Sequence, residues 1–395
     1  MKLKINRIVS DSFDELVAWR KHIHTNPELS FKEFKTADFV ASQLQKMEIP
    51  FSKGVAGTSI VALIKGVNPS KKCIALRADL DALPIQEENN VPYKSIVNNV
   101  MHACGHDVHT TCLLGAAKVI NSLRADFEGT VKLIFQPGEE VLPGGASQMI
   151  SEGVLENPKV DEIYALHVFP EMDAGKVGFK EGNYMAACDE LYLSVIGEGG
   201  HAALPGQYNN PIMIVAELLP KLDSFLKSIS VKDSPYIFAF GDLQAKGATN
   251  VIPKEARAKG TLRTMDESWR EVIHHKLRDF VNDFLKSKNA TGELKILKGY
   301  PFLKNNEQLT KRAYSASKQL LGSNNVEKMS IRMTAEDFSF YSQVVPACFY
   351  RLGVRNESLG IVHGVHHPKF NIDHEALKVG VSTLSFIAVN SLKIN

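Results

Sequence analysis

Ile74-Ala-Leu-Arg-Ala-Asp-Leu-Asp81 runs from an apolar, β-rich stretch straight into two carboxylates. The apolar part, with Lys72 to Arg77 as its body, predicts a strand. Asp79 and Asp81 stand two residues apart, so an extended chain would turn both to the same side. Two other strands are expected to end in polar groups as well. Leu133-Ile-Phe-Gln-Pro-Gly-Glu-Glu140 closes on a turn with paired glutamates, and Ile163-Tyr-Ala-Leu-His167 closes on a histidine. In open α/β sheets ligands bind beyond the carboxyl ends of the strands, so these three ends are expected to meet at one crevice.

Working outward, helical periodicity over Ser12 to Arg20 and Phe31 to Met47 is split by the turn Thr25-Asn-Pro-Glu. Strands at Thr58 to Lys65, Lys72 to Arg77, Thr130 to Gln136 and Asp161 to Val168 then alternate with helices at Thr110 to Leu123 and Ala146 to Glu152. Such alternation predicts an α/β fold with a largely parallel sheet. After about Ala187 the order changes. A strand (Glu190 to Ile196), a helix (Pro211 to Ile229), two strands (Tyr236 to Ala245 and Lys254 to Arg263), a helix (Asp266 to Lys288) and a strand (Leu294 to Tyr300) follow. This β-α-β-β-α-β series is the ferredoxin-like arrangement. Helix and strand alternate again from Phe302, at Glu307 to Leu321 and Ala347 to Leu352. The expectation is one mostly parallel-sheet domain of residues 1–186 plus 301–395, interrupted by a ferredoxin-like α+β insert of residues 187–300.

A chain of 395 residues suits two domains, and 44% apolar with 23% charged residues is ordinary for a soluble protein. A net charge of +2 gives no reason to expect nucleic acid or an anionic membrane surface as partner. No apolar run approaches the ~18 residues of a membrane span, and no apolar segment follows Lys2, Lys4 and Arg7 as a signal peptide would require. The five cysteines are scattered without a CxxC pair, which fits reduced thiols in a cytoplasmic protein.

Met101-His-Ala-Cys-Gly-His-Asp-Val-His109 concentrates three histidines, a thiol and a carboxylate at the start of a predicted helix. Thiolate, imidazole and carboxylate together suit zinc, with manganese, cobalt and nickel also compatible. His102, Cys104 and His106 alternate, so two of them could grip one ion. The helix start is expected to ease ionisation of the Cys104 thiol. Adjacent glutamates tend to point apart, which suits Glu140 as a ligand and Glu139 as a base. Val362-His-Gly-Val-His-His-Pro368 offers His363, His366 and His367 as a distant ligand source, and spacing does not choose among them.

RADLDALP, MHACGHDVH, FQPGEE, LHV, GEGGHAALP and VHHPKF occur in this order between about Trp19 and Ala376. Together they resemble the metal-dependent amidohydrolases and aminoacylases: hippurate hydrolases, N-acyl-L-amino acid amidohydrolases and auxin-conjugate hydrolases, relatives of the two-metal carboxypeptidases. The resemblance implies a hydrolase of N-acyl amino acids that uses two divalent ions per subunit (zinc or manganese, with cobalt or nickel possible). It implies Cys104, His106, Glu140, His167 and His366 as ligands, Glu139 as general base acting on metal-activated water, and Asp81 as a catalytic support. Asp79 stands where many relatives carry a metal-binding histidine. His201, Asn250 and Arg263 match substrate-binding residues of an insert that serves as lid or dimerisation domain, so a homodimer is expected, with strands such as Glu190 to Ile196 pairing across an edge. His102, His109, His363 and His367 receive no role. A dipeptidase or carboxypeptidase is the nearest alternative. Two others are a cysteine enzyme with Cys104 as nucleophile and a non-catalytic metal- or peptide-binding relative.

Overall fold

The computed structural model describes residues 1–231 and 234–394. The chain forms two compact units, the first of Met1–Tyr184, Lys304–Ile331 and Asp337–Asn395. Its eight-stranded sheet runs, from edge to edge, Phe51–Lys53, Ile60–Lys65, Thr130–Gln136, Cys73–Asp79, Glu162–Asp173, Ala347–Arg355, Val177–Phe179 and Val326–Lys328. The four central strands, Thr130–Gln136 to Ala347–Arg355, are parallel to one another, and antiparallel pairs are confined to the flanks. The sheet is therefore mixed with a parallel centre. Every residue of Cys73–Asp79 and Thr130–Gln136 is buried, as parallel strands covered on both faces require. Asp79, the Gln136–Glu140 turn and His167 thus sit on three neighbouring strands at the same end of the sheet.

Several buried charged residues of this unit are anchored by named partners. Lys132 donates to the carbonyls of Val154, Glu156 and Pro158 at 2.7, 2.7 and 2.9 Å. Arg20, on helix Phe13–Thr25, meets Asp107 of helix His106–Ser122 at 2.9 Å, and both side chains are fully buried. His24 joins them, 2.7 Å from Asp107 and 3.2 Å from Glu87. Among the described residues three helices have no counterpart in the sequence reading: Lys2–Asp11, Glu375–Ser391 and the short Ser339–Val344. The second is buried along nearly its whole length, so it lacks the polar face that makes a helix legible.

The second unit comprises Met185–Leu303 and Arg332–Glu336. The short Arg332–Glu336 segment thus groups with this unit, whereas the sequence places all of 301–395 in the first domain. Its four-stranded sheet has the order Ile237–Gln244, Glu255–Thr264, Ala187–Ile196, Thr291–Lys298, with every pairing antiparallel. With helices Pro211–Ser228 and Glu267–Ser287 this is the ferredoxin-like topology. One expectation is corrected here. Glu190 to Ile196 cannot offer an edge, because Ala187–Ile196 is paired on both sides. The edges are Ile237–Gln244 and Thr291–Lys298.

Asp189 anchors this unit: Arg270 bonds it at 2.5 and 3.0 Å and His274 at 2.6 Å. Burial opposes the Asp189 charge, but His274 and Arg270 outweigh it and hold the carboxyl below its usual value of 3.8. A depressed carboxyl stabilises the fold above its unfolded value and loses that contribution as pH falls. We expect the stability of this unit to fall more steeply below about pH 3.8 than that of an Asp189→Asn/Arg270→Met double variant, which has no such linkage. Arg270→Met alone should lose about 3–5 kcal/mol in urea unfolding at neutral pH, because it leaves a buried carboxylate without its arginine.

Candidate metal centre

Gly105 makes the local geometry possible. Its φ of +84° lies in the left-handed region, and a Cβ there would meet Val168 Cγ2 at 2.6 Å. The chain can therefore reverse between Cys104 and the helix that begins at His106. Cys104 and His106 then face one pocket, where Cys104 Sγ lies 3.4 Å from His167 Nε2. Cys104, His106 and His167 bring their donor atoms within 4.8 Å of one another, as do Cys104, Glu140 and His366, and again His106, Glu139 and Glu140. Five ligand candidates from four distant stretches are thereby gathered with Glu139. Glu139 and Glu140 share this pocket and do not diverge as an extended chain would suggest.

Hydrogen bonds fix which ring nitrogens are available. Asp81 Oδ1 lies 3.1 Å from His106 Nδ1, so that nitrogen donates and Nε2 is turned inward. His106 Nε2 is buried without a hydrogen-bond partner, 3.9 Å from Glu140 Oε1, which is equally buried and unpartnered. His167 Nδ1 donates to the Val168 carbonyl at 2.8 Å, which leaves Nε2 toward Cys104. His366 Nε2 lies 3.4 Å from Glu140 Oε1. The His366 backbone adopts φ +64°, rare for a residue with a side chain, and its N–H is tied to the Ala103 carbonyl at 2.7 Å.

The same logic gives His109 a role and removes it from the ligand set. Its Nδ1 donates to Asp79 Oδ1 at 2.6 Å, and its Nε2 accepts the Val168 N–H at 2.9 Å. Both nitrogens are occupied, and the ring braces the strand that carries His167. Asp79 is likewise committed, since Arg77 holds its other oxygen at 2.6 Å. His102 stays outside every cluster; it is fully buried, both nitrogens lack a hydrogen bond, and burial pushes it down to about 4. His363 and His367 stack face to face at 4.2 Å. Parallel stacking keeps their lone pairs from converging on one ion.

Four carboxylates crowd this pocket, and the protonation pattern follows. Burial disfavours charge on His106, yet Asp79, Asp81 and Glu140 overcome it and raise the imidazole to about 10. Burial likewise disfavours charge on Asp79 and Asp81, but the neighbouring imidazoles, with Arg77 at Asp79, hold both below the usual range. Cys104 goes the other way: burial first, then Glu140, Glu139 and Asp79, push its thiol far up. This corrects the expectation of an easily ionised thiol at the helix start, because burial and then the local carboxylates outweigh the helix end. His167 is held neutral, chiefly by burial.

Several supporting residues were not anticipated. Ser30 donates to Asp81 Oδ2 at 2.7 Å, beside the Glu140 N–H at 3.0 Å. Asp337 donates its N–H to Glu139 Oε1 at 3.3 Å, while its carboxylate takes bonds from Arg77, Gln136 and the Ala146 N–H. Nothing local in the sequence marks these partners, which lie 51 to 260 residues apart. His201, Asn250 and Arg263 belong to the second unit. His201 pairs with Val251, and Ala202 donates to the Asn250 carbonyl at 3.0 Å, so these two are neighbours. Arg263 lies on a separate sheet, between Cys188 and Ile237.

The sequence profile of the peptidase family M20/M25/M40 matches residues 75–390. The chain belongs to this family. An N-acyl-L-amino acid amidohydrolase of Geobacillus stearothermophilus is 38% identical over 76% of this chain and 80% of its own length. Thermostable carboxypeptidase 2 of Saccharolobus solfataricus is 34% identical over 98% of both chains. Among solved structures, the YXEP protein of Bacillus subtilis, described as a dinuclear metal-binding peptidase of the M20 family, superposes with a TM-score of 0.83 at 31% identity, covering 97% of this chain and 99% of that one. As an M20 member the chain is a hydrolase of the amidohydrolase and peptidase group. Among the described residues, no helix is long and apolar enough to cross a membrane.

The raised Cys104 thiol yields a test against the cysteine-nucleophile alternative. Metal-free protein treated with iodoacetamide at pH 8 should leave Cys104 unmodified for hours by mass spectrometry. Alkylation as fast as that of a free thiol would restore that alternative.

Proposed function

We propose that the protein hydrolyses the amide bond of N-acyl amino acids with two divalent ions as cofactors. The observation that carries the reading is the pair of buried, unpartnered donor atoms, His106 Nε2 and Glu140 Oε1, facing Cys104, His167 and His366. Such a donor set fits borderline cations such as zinc, manganese or cobalt, and it is poorly satisfied by the protein alone. Cys104, His106, Glu140, His167 and His366 would hold the ions. When bound, they lower the pKa of water and polarise the scissile carbonyl.

The remaining steps belong to the chain. Glu139, kept near the Asp337 N–H, takes the proton of the attacking water and returns it to the leaving nitrogen. Asp81 supports catalysis by holding His106 in the tautomer that presents Nε2. His201 stabilises the oxyanion, and Asn250 with Arg263 engages the amino acid's carboxylate. The resemblance to the Geobacillus amidohydrolase favours an acylated amino acid. The Saccharolobus carboxypeptidase supports the second reading, cleavage of a short peptide.

We read residues 1–186 with 301–395 as the catalytic domain and the ferredoxin-like insert as the lid and dimerisation domain. In the insert, the Thr291–Lys298 edge exposes Leu297 but carries Lys295 and Lys298, which discourage pairing, whereas Ile237–Gln244 exposes Ile237 and Leu243 and carries no lysine. A second copy pairing along Ile237–Gln244 would give the homodimer. Free thiols at all five cysteines accord with a cytoplasmic site.

Metal-loaded protein offered N-acetyl and N-benzoyl amino acids and dipeptides should release the free amino acid fastest from the acylated set. Faster cleavage of dipeptides would favour the peptidase reading, and no turnover on either would reject both. Glu139→Gln should lower kcat by at least ~100-fold, the span of a general base, with both ions retained. Near-wild-type turnover would overturn that role.

A further inference from the structure

Pro27 to Glu33 lies outside the 75–390 stretch matched to the family, yet it packs directly behind the carboxylates of the pocket. The Leu29 backbone bridges to Ala82, and Ser30 bonds Asp81 at 2.7 Å. Glu33 is fully buried and gathers three donors. Its Oε1 accepts the Phe31 N–H at 2.8 Å and the Gly138 N–H at 2.9 Å, and its Oε2 accepts the Thr58 hydroxyl at 2.5 Å. Gly138 is the residue immediately before Glu139. It has φ +60°, and a Cβ there would lie 2.4 Å from the Phe31 ring. The turn that presents Glu139 and Glu140 is thus pinned from behind by one carboxylate and one aromatic ring of the same short segment.

We propose that Glu33 is a positioning residue for the catalytic turn, acting through the Gly138 N–H to fix where Glu139 and Glu140 stand. A carboxylate in this place, 0% exposed and near Asp81, is not what core packing alone would select. Its job is to accept two N–H groups that the tight turn and the Phe31 kink leave without strand or helix partners. Burial, offset partly by the Thr58 bond and reinforced by Asp81, raises its carboxyl to about 7. An uncharged acceptor of the same shape should therefore serve nearly as well. The effect on turnover rests on Glu139 being the base; the effect on the turn does not.

Glu33→Gln keeps an acceptor for Gly138, whereas Glu33→Met keeps the volume and removes it. Hydrogen exchange of the peptide spanning Gln136 to Val141 reads the turn without any assay of activity. The Gly138 amide should exchange at the wild-type rate in the Gln variant and at least ~10-fold faster in the Met variant. Turnover of an N-acyl amino acid should follow: kcat within about 3-fold of wild type for Gln, and about 10–100-fold lower for Met with KM little changed, the span typical of groups that orient a metal site. Unchanged Gly138 exchange in Glu33→Met, or a Gln variant as impaired as Met, would overturn the proposal. If the Met variant does not fold, the Gln variant decides alone: wild-type exchange and kcat support it and a loss of either overturns it. Should Glu139→Gln prove fully active, the exchange result still stands or falls by itself.

Discussion

The structure turns on one constraint: four carboxylates, three imidazoles and a thiol share a pocket, buried except at His366, with too little positive charge of their own. Arg77 answers part of it through Asp79 and Asp337. His106 answers more, driven to about 10 by its neighbours. What remains is an inward-facing imidazole nitrogen and a glutamate oxygen that no hydrogen bond satisfies among the described residues. Buried polar atoms of this kind are costly unless something meets them, and bound cations invert the local preference by favouring thiolate and neutral imidazole. The thiol that carboxylates hold protonated is therefore the same group that a cation would most readily claim.

The surrounding fold serves that pocket in layers. Three adjacent parallel strands deliver Asp79, the glutamate turn and His167, and a left-handed glycine lets Cys104 and His106 face the same space. Behind them, nitrogens are assigned one by one: Asp81 to His106, Val168 to His167, Asp79 and Val168 to His109. Outside those, Arg77, Asp337, Ser30 and Glu33 hold the holders. Each layer removes freedom from the one inside it, which is how a site keeps its geometry without moving parts.

Much of this was legible in the chain, for physical reasons. Thr130–Gln136 and Glu307–Leu321 match their expected bounds because a strand bounded by turns and an amphipathic helix leave clear periodic marks. The β-α-β-β-α-β order gave the insert its topology, although not which strands would lie at the edge. Glu375–Ser391 was missed because burial on every side erases the period. The ligand types are readable from clustering, but the Cys104 ionisation is not, since the helix start is visible in sequence while the burial and the converging carboxylates are not. Ser30, Glu33, Asp337 and the bracing role of His109 emerge only when distant segments meet.

The count of ions is the most direct measure of the central claim. Protein stripped by chelator, dialysed against manganese, zinc or cobalt and quantified by elemental analysis should retain two ions per chain. In the cobalt form it should show the intense near-ultraviolet absorption of a thiolate ligand, absent in Cys104→Ser. A chain that takes up no divalent ion, or whose cobalt spectrum is unchanged by loss of Cys104, would contradict the account.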